Sequence, residues 1–235
     1  MPEFADVVRR RRMTRAFDGR PVPSELLVEL VELASRAPSA GKSQGWHLIV
    51  LEGDETSRFW DITLPTMGRS AFRWKRLLDA PLIAVPLADP KAYTDRYSEP
   101  DKKATGLGAG ADAWPAPYWT IDASMSVMSM LLAAEAAGLG ALFFGVFRGE
   151  RQLRRALGIP AFMQVLGAVA LGWPLGEDAA DQRSDPTSPT GLSTDPTSPT
   201  GLSTDPTGAG GPGGSATRRR RPPEEIIHRG GWRVS

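Results

Sequence analysis

Apolar residues at helical spacing open the chain: Phe4, Ala5, Val7 and Val8 predict a short first helix that carries the run Arg9 to Arg12 at or near its C-terminal end. Pro21-Val22-Pro23-Ser24 punctuates the chain, and a second helix is expected from Pro23 or Ser24 through Arg36, with Leu26, Leu27, Leu30, Val31, Leu33 and Ala34 as a broad apolar face. A polar loop of small residues, 37–46, then leads into a strand from His47 to Leu51. Residues Asp54 to Leu78 read as mixed helix and loop, and Ala80 to Ala88 as a buried strand interrupted by Pro86.

The stretch from Asp89 to Trp119 shows no clear period, and loops of that length are usually functional lids or disordered segments. Tyr118 to Ala137 follows as one long helix with apolar residues on more than one side, expected to be buried all round, centrally or at a dimer contact. Ala141 to Phe147 is a predicted strand, Glu150 to Leu157 a helix ending at Gly158-Ile159-Pro160, and Val165 to Trp173 a final strand. Strands alternating with helices predict an α/β or α+β domain.

After that strand the composition changes. Residues 179–217 are rich in Pro, Gly, Ser and Thr, and the unit DPTSPTGLST occurs twice in tandem, starting at 185 and 195. With few apolar residues to bury, this segment is expected to be a disordered linker. The organisation expected is a domain at 1–178, a linker at 179–217, and a tail at 218–235 that completes the same domain.

At 235 residues and 41% apolar composition the chain can bury a real core. A net charge near +1 gives no global pull toward nucleic acid or membrane, so any electrostatic role is local. The absence of cysteine excludes disulfides, thiolate nucleophiles and cysteine-ligated metals, and two histidines argue against a histidine-based metal site. The N-terminus lacks the apolar core of a secretory signal, so a reducing cytoplasm is the default. Ser124 to Phe147 is apolar enough to suggest a membrane span, but Gly138-Leu139-Gly140 breaks it into pieces too short to cross.

The densest chemistry is RRRRMTRAF, where five arginines fall within Arg9 to Arg15. Like charges at this spacing repel, and an anion among them relieves the repulsion; phosphate suits best because its oxygens accept a guanidinium fork in pairs. A solvated face or a polyanion-binding patch is the alternative. A second run, Arg218 to Arg221, lies directly before Pro222-Pro223, and if the two runs converge they form one anion site. Gly41-Lys42-Ser43 resembles the end of a phosphate loop but has Arg36 where that pattern needs glycine. The loop around it would let a planar ring approach its backbone and hydroxyls, and a plain surface turn explains it equally well. Gly106 to Gly110 lacks the preceding strand of a dinucleotide fingerprint.

Four separated segments, in order, resemble the FMN-dependent nitroreductase superfamily. Arg11 to Phe17, followed by Pro21-Val22-Pro23, is similar to its R-R-S-x-R-x-F start. Ala37-Pro38-Ser39 through Ser43-Gln44-Gly45-Trp46 is similar to its A-P-S-x-x-N-x-Q-P-W loop. Gly138-Leu139-Gly140 with Phe144 to Phe147 resembles its helix exit and flavin-facing strand, and Leu171 to Pro174 with Arg218 to Glu225 resembles its strand end and tail.

The resemblance implies an α+β fold of three layers, α/β/α, with a mixed, mainly antiparallel sheet, in an intertwined homodimer whose tails wrap the partner and whose flavins lie at the interface. It implies FMN as cofactor, NADPH or NADH as reductant, and ping-pong reduction of a small aromatic acceptor, a nitroaromatic or a quinone, with no nucleic acid or membrane partner. Position by position, Arg11, Arg12, Arg15, Arg218 and Arg220 would hold the phosphate and ribityl chain, with Met13 where the family has serine and Arg9 or Arg10 compensating. Pro38, Ser39, Ala40 and Ser43 would line the isoalloxazine, and backbone N–H groups near Gly145 and Val146 would face its N5. Lys42, Trp114, Tyr118 and Trp119 are the substrate-facing candidates.

No acid, base or nucleophile constellation is expected, because the cofactor supplies the redox chemistry. Gly45 in place of the family's proline, and the long linker, depart from the pattern. The rivals are a specialised flavin relative of the benzimidazole synthase or reductive dehalogenase type, a flavin-binding protein without turnover, and a non-catalytic arginine-rich module for polyanions.

Overall fold

A computed structural model describes residues 2–176, 215 and 218–233. The expected linker therefore lies, Ser215 apart, outside the described residues. In chain order the elements are α1 (Phe4–Arg10), α2 (Ser24–Ala34), β1 (Trp46–Glu52), α3 (Thr56–Thr63), α4 (Thr66–Arg69), β2 (Leu82–Ala88), α5 (Pro90–Ser98), α6 (Tyr118–Ala136), β3 (Gly140–Phe144), α7 (Glu150–Ala156), β4 (Gln164–Val165), β5 (Ala168–Gly172) and β6 (Ile227–Arg229).

Strands β1 and β2 are almost continuously apolar because both of their faces are covered. On one face Leu48, Val50, Leu82 and Ala84 pack against α2 and α6; on the other Ile49, Leu51, Ile83 and Val85 pack against α3 and α7. The result is an α/β/α sandwich. The sheet order is β3-β5-β2-β1-β6, with β4 adding to β2; every pairing is antiparallel except β1 with β6. Among the described residues no helix is long and apolar enough to cross a membrane.

Four expectations need correction. β2 runs unbroken through Pro86, which pairs with Leu48 on one side. On the other side the partner chain steps between β4 and β5, so the missing N–H of Pro86 has no ladder bond to make, while its carbonyl accepts from Leu166 N–H at 3.0 Å. The expected final strand 165–173 is split there by Gly167, whose φ of +147° and close approach to the Phe144 carbonyl leave no room for a side chain. β3 ends at Phe144, leaving Gly145 to Phe147 beyond the strand.

The fourth correction concerns residues 89–119, which are a structured buttress rather than a free loop. Asp89 caps α5 by accepting from the Lys91 N–H at 2.8 Å, Pro90 opens the helix, and short 3-10 turns carry the chain on to α6. On α6 the inner residues Ala123, Val127, Met130 and Ala134 are buried within the chain, while Tyr118, Ile121, Met125 and Met128 are exposed along its outer face. The chain leaves α6 through Gly138 at φ +77°, and Gly140 lies against Thr14 so closely that a Cβ would sit 2.6 Å from that side chain.

Candidate cofactor site

The loop before β1 is held in an unusual backbone. Gly41, Lys42 and Gln44 all have left-handed φ (59°, 57° and 53°), a conformation that costs free energy for the two residues that are not glycine. Its hydroxyls turn inward: Ser39 Oγ accepts from Gln44 N–H at 3.0 Å and Ser43 Oγ donates to the Ala40 carbonyl at 2.7 Å. Two long-range pins hold it. Asp122 Oδ2 on α6 accepts from both the Ala40 N–H and the Tyr93 hydroxyl, each at 2.8 Å. Arg96 Nε on α5 donates to the Gly41 carbonyl at 2.8 Å, and its two terminal nitrogens each reach an oxygen of Asp101 at 2.7 Å.

The tail docks directly on this loop. Gln44 reads the tail backbone in both directions, its amide donating to the Arg219 carbonyl at 2.9 Å and its oxygen accepting from Arg221 N–H at 2.8 Å. Lys42 donates its ammonium to the Arg218 carbonyl, so this side chain is spent on the tail and is not free for a substrate. Arg218 pairs with Glu99 at 2.5 Å, and Arg220 donates to the Ser35 carbonyl at 2.5 Å. The Arg221 guanidinium donates to the carbonyls of Gln44 and Trp46 at 2.9 and 3.2 Å and sits beside His47. His47 and His228, the two histidines of the chain, meet across the β1–β6 pair, and Trp232 stacks on His228 at 4.2 Å. Burial first, then the charges of Arg221 and His228, push His47 down to about 2; burial also lowers His228.

The first arginine run lies elsewhere. Its chain forms a bridge at Met13 to Ala141, with Thr14 N–H donating to the Ala141 carbonyl at 3.0 Å, which fixes the run at the free edge of β3. Arg15 is held over the Trp74 ring at 5.1 Å and reaches back to the Met13 carbonyl and sulfur. Among the described residues, no hydrogen bond or ion pair neutralises Arg10, Arg11 or Arg12. Met13, half exposed, offers no hydroxyl. Gly145 and Val146 continue from the other end of β3, with the Phe147 ring lying where a Cβ on Gly145 would be.

The two arginine runs do not converge within one chain. β3 and β6 are the opposite edges of the sheet, four strand spacings or roughly 19 Å apart. Along α6, Asp122 under the loop is separated from the Gly138 exit beside Met13 by roughly 20 Å of helix. Two of the aromatic substrate candidates are also packing residues. Trp114 is buried, donates its indole N–H to the Leu107 carbonyl at 3.0 Å and packs on Tyr93 and Tyr97; Trp119 leans on the α2–α6 core. Tyr118 alone of the three is open, at the start of the outer face of α6.

Arg96, Asp122, Tyr93 and Gln44 shape the loop; the sequence offers Gln44 within the motif Ser43-Gln44-Gly45-Trp46 but no role for the other three. Of those three only Asp122 leaves a signal there, as the one charged residue in the first four turns of α6.

Comparison with known proteins agrees with the fold. The Nitroreductase family model matches residues 8–173. An Archaeoglobus fulgidus protein named as an NADH dehydrogenase/NAD(P)H nitroreductase is 31% identical over 192 residues, 79% of this chain and 95% of that protein. A Thermus thermophilus NADH dehydrogenase is 30% identical over 188 residues, covering 74% and 88% of the two chains. Among solved structures, a nitroreductase family protein from Clostridium novyi superposes with a TM-score of 0.58 at 23% identity, covering 77% of this chain and 90% of its own. One from Exiguobacterium sibiricum, solved in complex with FMN, gives 0.58 at 19% identity, covering 75% and 90%.

Proposed function

The chain belongs to the nitroreductase family, and from that premise we propose that it is an FMN-dependent oxidoreductase that takes electrons from NADH or NADPH and passes them to a small aromatic acceptor, a nitroaromatic or a quinone. The observation that carries this is the division of its polar machinery. One half is an arginine run at the β3 edge in which Arg10, Arg11 and Arg12 have no carboxylate partner; the other is a left-handed, doubly pinned loop with the tail docked on it, some 20 Å away. Neither half encloses a flavin. A second copy, packed through the outer face of α6, would set one against the other.

That face supports the pairing. Tyr118, Ile121, Met125 and Met128 are spaced three, four and three residues apart, the repeat with which helices pack side by side. Exposed apolar residues in a continuous row mark an interaction surface. We therefore propose a homodimer with its cofactor sites between the subunits.

The donor set fits the cofactor. Arg11, Arg12 and Arg15 would hold its phosphate, with Arg10 alongside in place of the hydroxyl that Met13 lacks; Arg15 is already oriented by Trp74. Arg218 and Arg220 would add to this from the tail. Pro38, Ser39, Ala40 and Ser43 would line the ring, and the N–H groups of Gly145 and Val146 would donate to it. When bound, FMN supplies the two-electron chemistry; the chain's own residues orient it, exclude water and hold its charge. No side-chain acid or base is required of the protein.

Steady-state kinetics test the proposal. With NADH or NADPH varied against 4-nitrobenzoate, a quinone or a halogenated phenol, double-reciprocal lines are parallel if the reductant leaves before the acceptor binds. Intersecting lines, or no turnover with any acceptor by FMN-loaded protein, would contradict it.

A further inference from the structure

We propose that Arg96 is a positioning residue: clamped by Asp101, it fixes the Gly41 carbonyl and thereby sets the left-handed turn whose outer surface receives the flavin ring. The inference rests on the cofactor reading above and extends it to residues outside the proposed ligand set.

Arg96 is 1% exposed although it is the most polar side chain of α5. A buried arginine is costly unless its whole fork is satisfied, and here each part has a separate task. Nε donates to the Gly41 carbonyl at 2.8 Å, while the terminal nitrogens grip Asp101 at 2.7 Å each and Glu99 at 3.2 Å. The carboxylate holds the guanidinium plane, and the plane fixes where Nε points. Lysine cannot do both, having one compact ammonium where arginine has a rigid fork.

The loop needs such a clamp. Left-handed φ at Lys42 and Gln44 persists only where the surroundings over-determine it. Gly41 itself has no room for a side chain: a Cβ there would lie 2.9 Å from the Tyr97 ring and 3.4 Å from Arg96 Cγ. Glu99 joins the clamp to the tail, since its second oxygen holds Arg218 at 2.5 Å. Ring-facing loop and phosphate-side tail therefore share one ion network centred on the buried Arg96.

The test compares R96K and D101N with R154K in the full-length chain. Arg154 is a partly buried arginine on α7 that donates to the Met163 carbonyl at 2.9 Å, remote from the loop, and it controls for simple loss of stability. FMN affinity, the visible circular dichroism of the bound flavin and its midpoint potential are read for each. R96K and D101N are expected to weaken FMN at least tenfold and to alter the dichroism and potential, whereas R154K lowers only the melting temperature. If R96K fails to fold, D101N decides. FMN affinity within twofold of wild type and an unchanged flavin spectrum in R96K or D101N overturn the positioning role and leave the cofactor reading intact. Wild-type protein that binds no FMN overturns both.

Discussion

His47 Nδ1 lies 3.0 Å from His228 Nε2, so the two histidines of the chain are hydrogen-bonded to each other across the junction of body and tail. The backbone N–H of Arg233 points at His228 Nδ1 at 3.3 Å, which places the His228 proton on Nε2 and makes His47 Nδ1 the acceptor. A proton added to His47 Nδ1 would set N–H against N–H, beside the guanidinium of Arg221. The other charged groups facing the pair are Arg233, and Glu225 and Asp89 through Arg221.

That contact makes tail docking acid-labile. Both histidines bind protons less readily when docked than when free, so their contribution is present above the ordinary histidine value of 6.5 and is lost as pH falls below it, His47 titrating in the folded chain only near 2. His47 should cost about 1.4 kcal/mol of stability per pH unit in that window, and His228 adds in the same direction. Urea melts at about pH 7.5 and about pH 5.5 measure the slope. The double variant His47→Gln/His228→Gln should flatten it; an unchanged slope would count against the pair.

Arg11→Ala should weaken FMN retention at least tenfold, since a charge-assisted contact to phosphate contributes roughly 1.5–3 kcal/mol and Arg11 has no other partner. Fluorescence titration with FMN reads this directly. Unchanged affinity in both Arg11→Ala and Arg15→Ala would remove the phosphate from this run.

Met125→Glu places a charge in the middle of the outer face of α6 without touching the core. Sedimentation should show monomers, and FMN should be lost together with the dimer if two copies build each site. A monomer that still binds FMN tightly would contradict the divided site.

Gly45→Ala should destabilise the fold by roughly 1–3 kcal/mol, the usual cost of overpacking. A Cβ there would sit 2.7 Å from the Tyr93 ring and 2.9 Å from the Asp89 carbonyl. A melting temperature equal to wild type would show that Tyr93 moves aside freely.

Much of the fold was legible because it follows from local pattern. β1 and β2 announced themselves as apolar runs, α2 by its stripe, and the exit from α6 by Gly138-Leu139-Gly140. β6 did not: it is three residues, Ile227 to Arg229, with no period of its own, and it exists through pairing with Leu48 to Val50. The unbroken passage of β2 through Pro86 depends on where a distant strand breaks. Arg96 and Asp122 escaped notice for the same reason, since their partners Gly41 and Ala40 are 55 and 82 residues away. The arginine runs are legible as charge, but Arg10, Arg11 and Arg12 lack an acidic partner while Arg218 and Arg219 pair with Glu99 and Glu225, a difference set by contacts in three dimensions.

The most direct measurement is the visible absorption of FMN-loaded protein titrated with NADH or NADPH in the absence of oxygen. The flavin band should be present at one FMN per chain, bleach on addition of the reductant and return when a nitroaromatic is admitted. A protein that takes up no FMN, or whose bound flavin is not bleached by either nucleotide, would contradict the assignment of this chain as a flavin-dependent reductase.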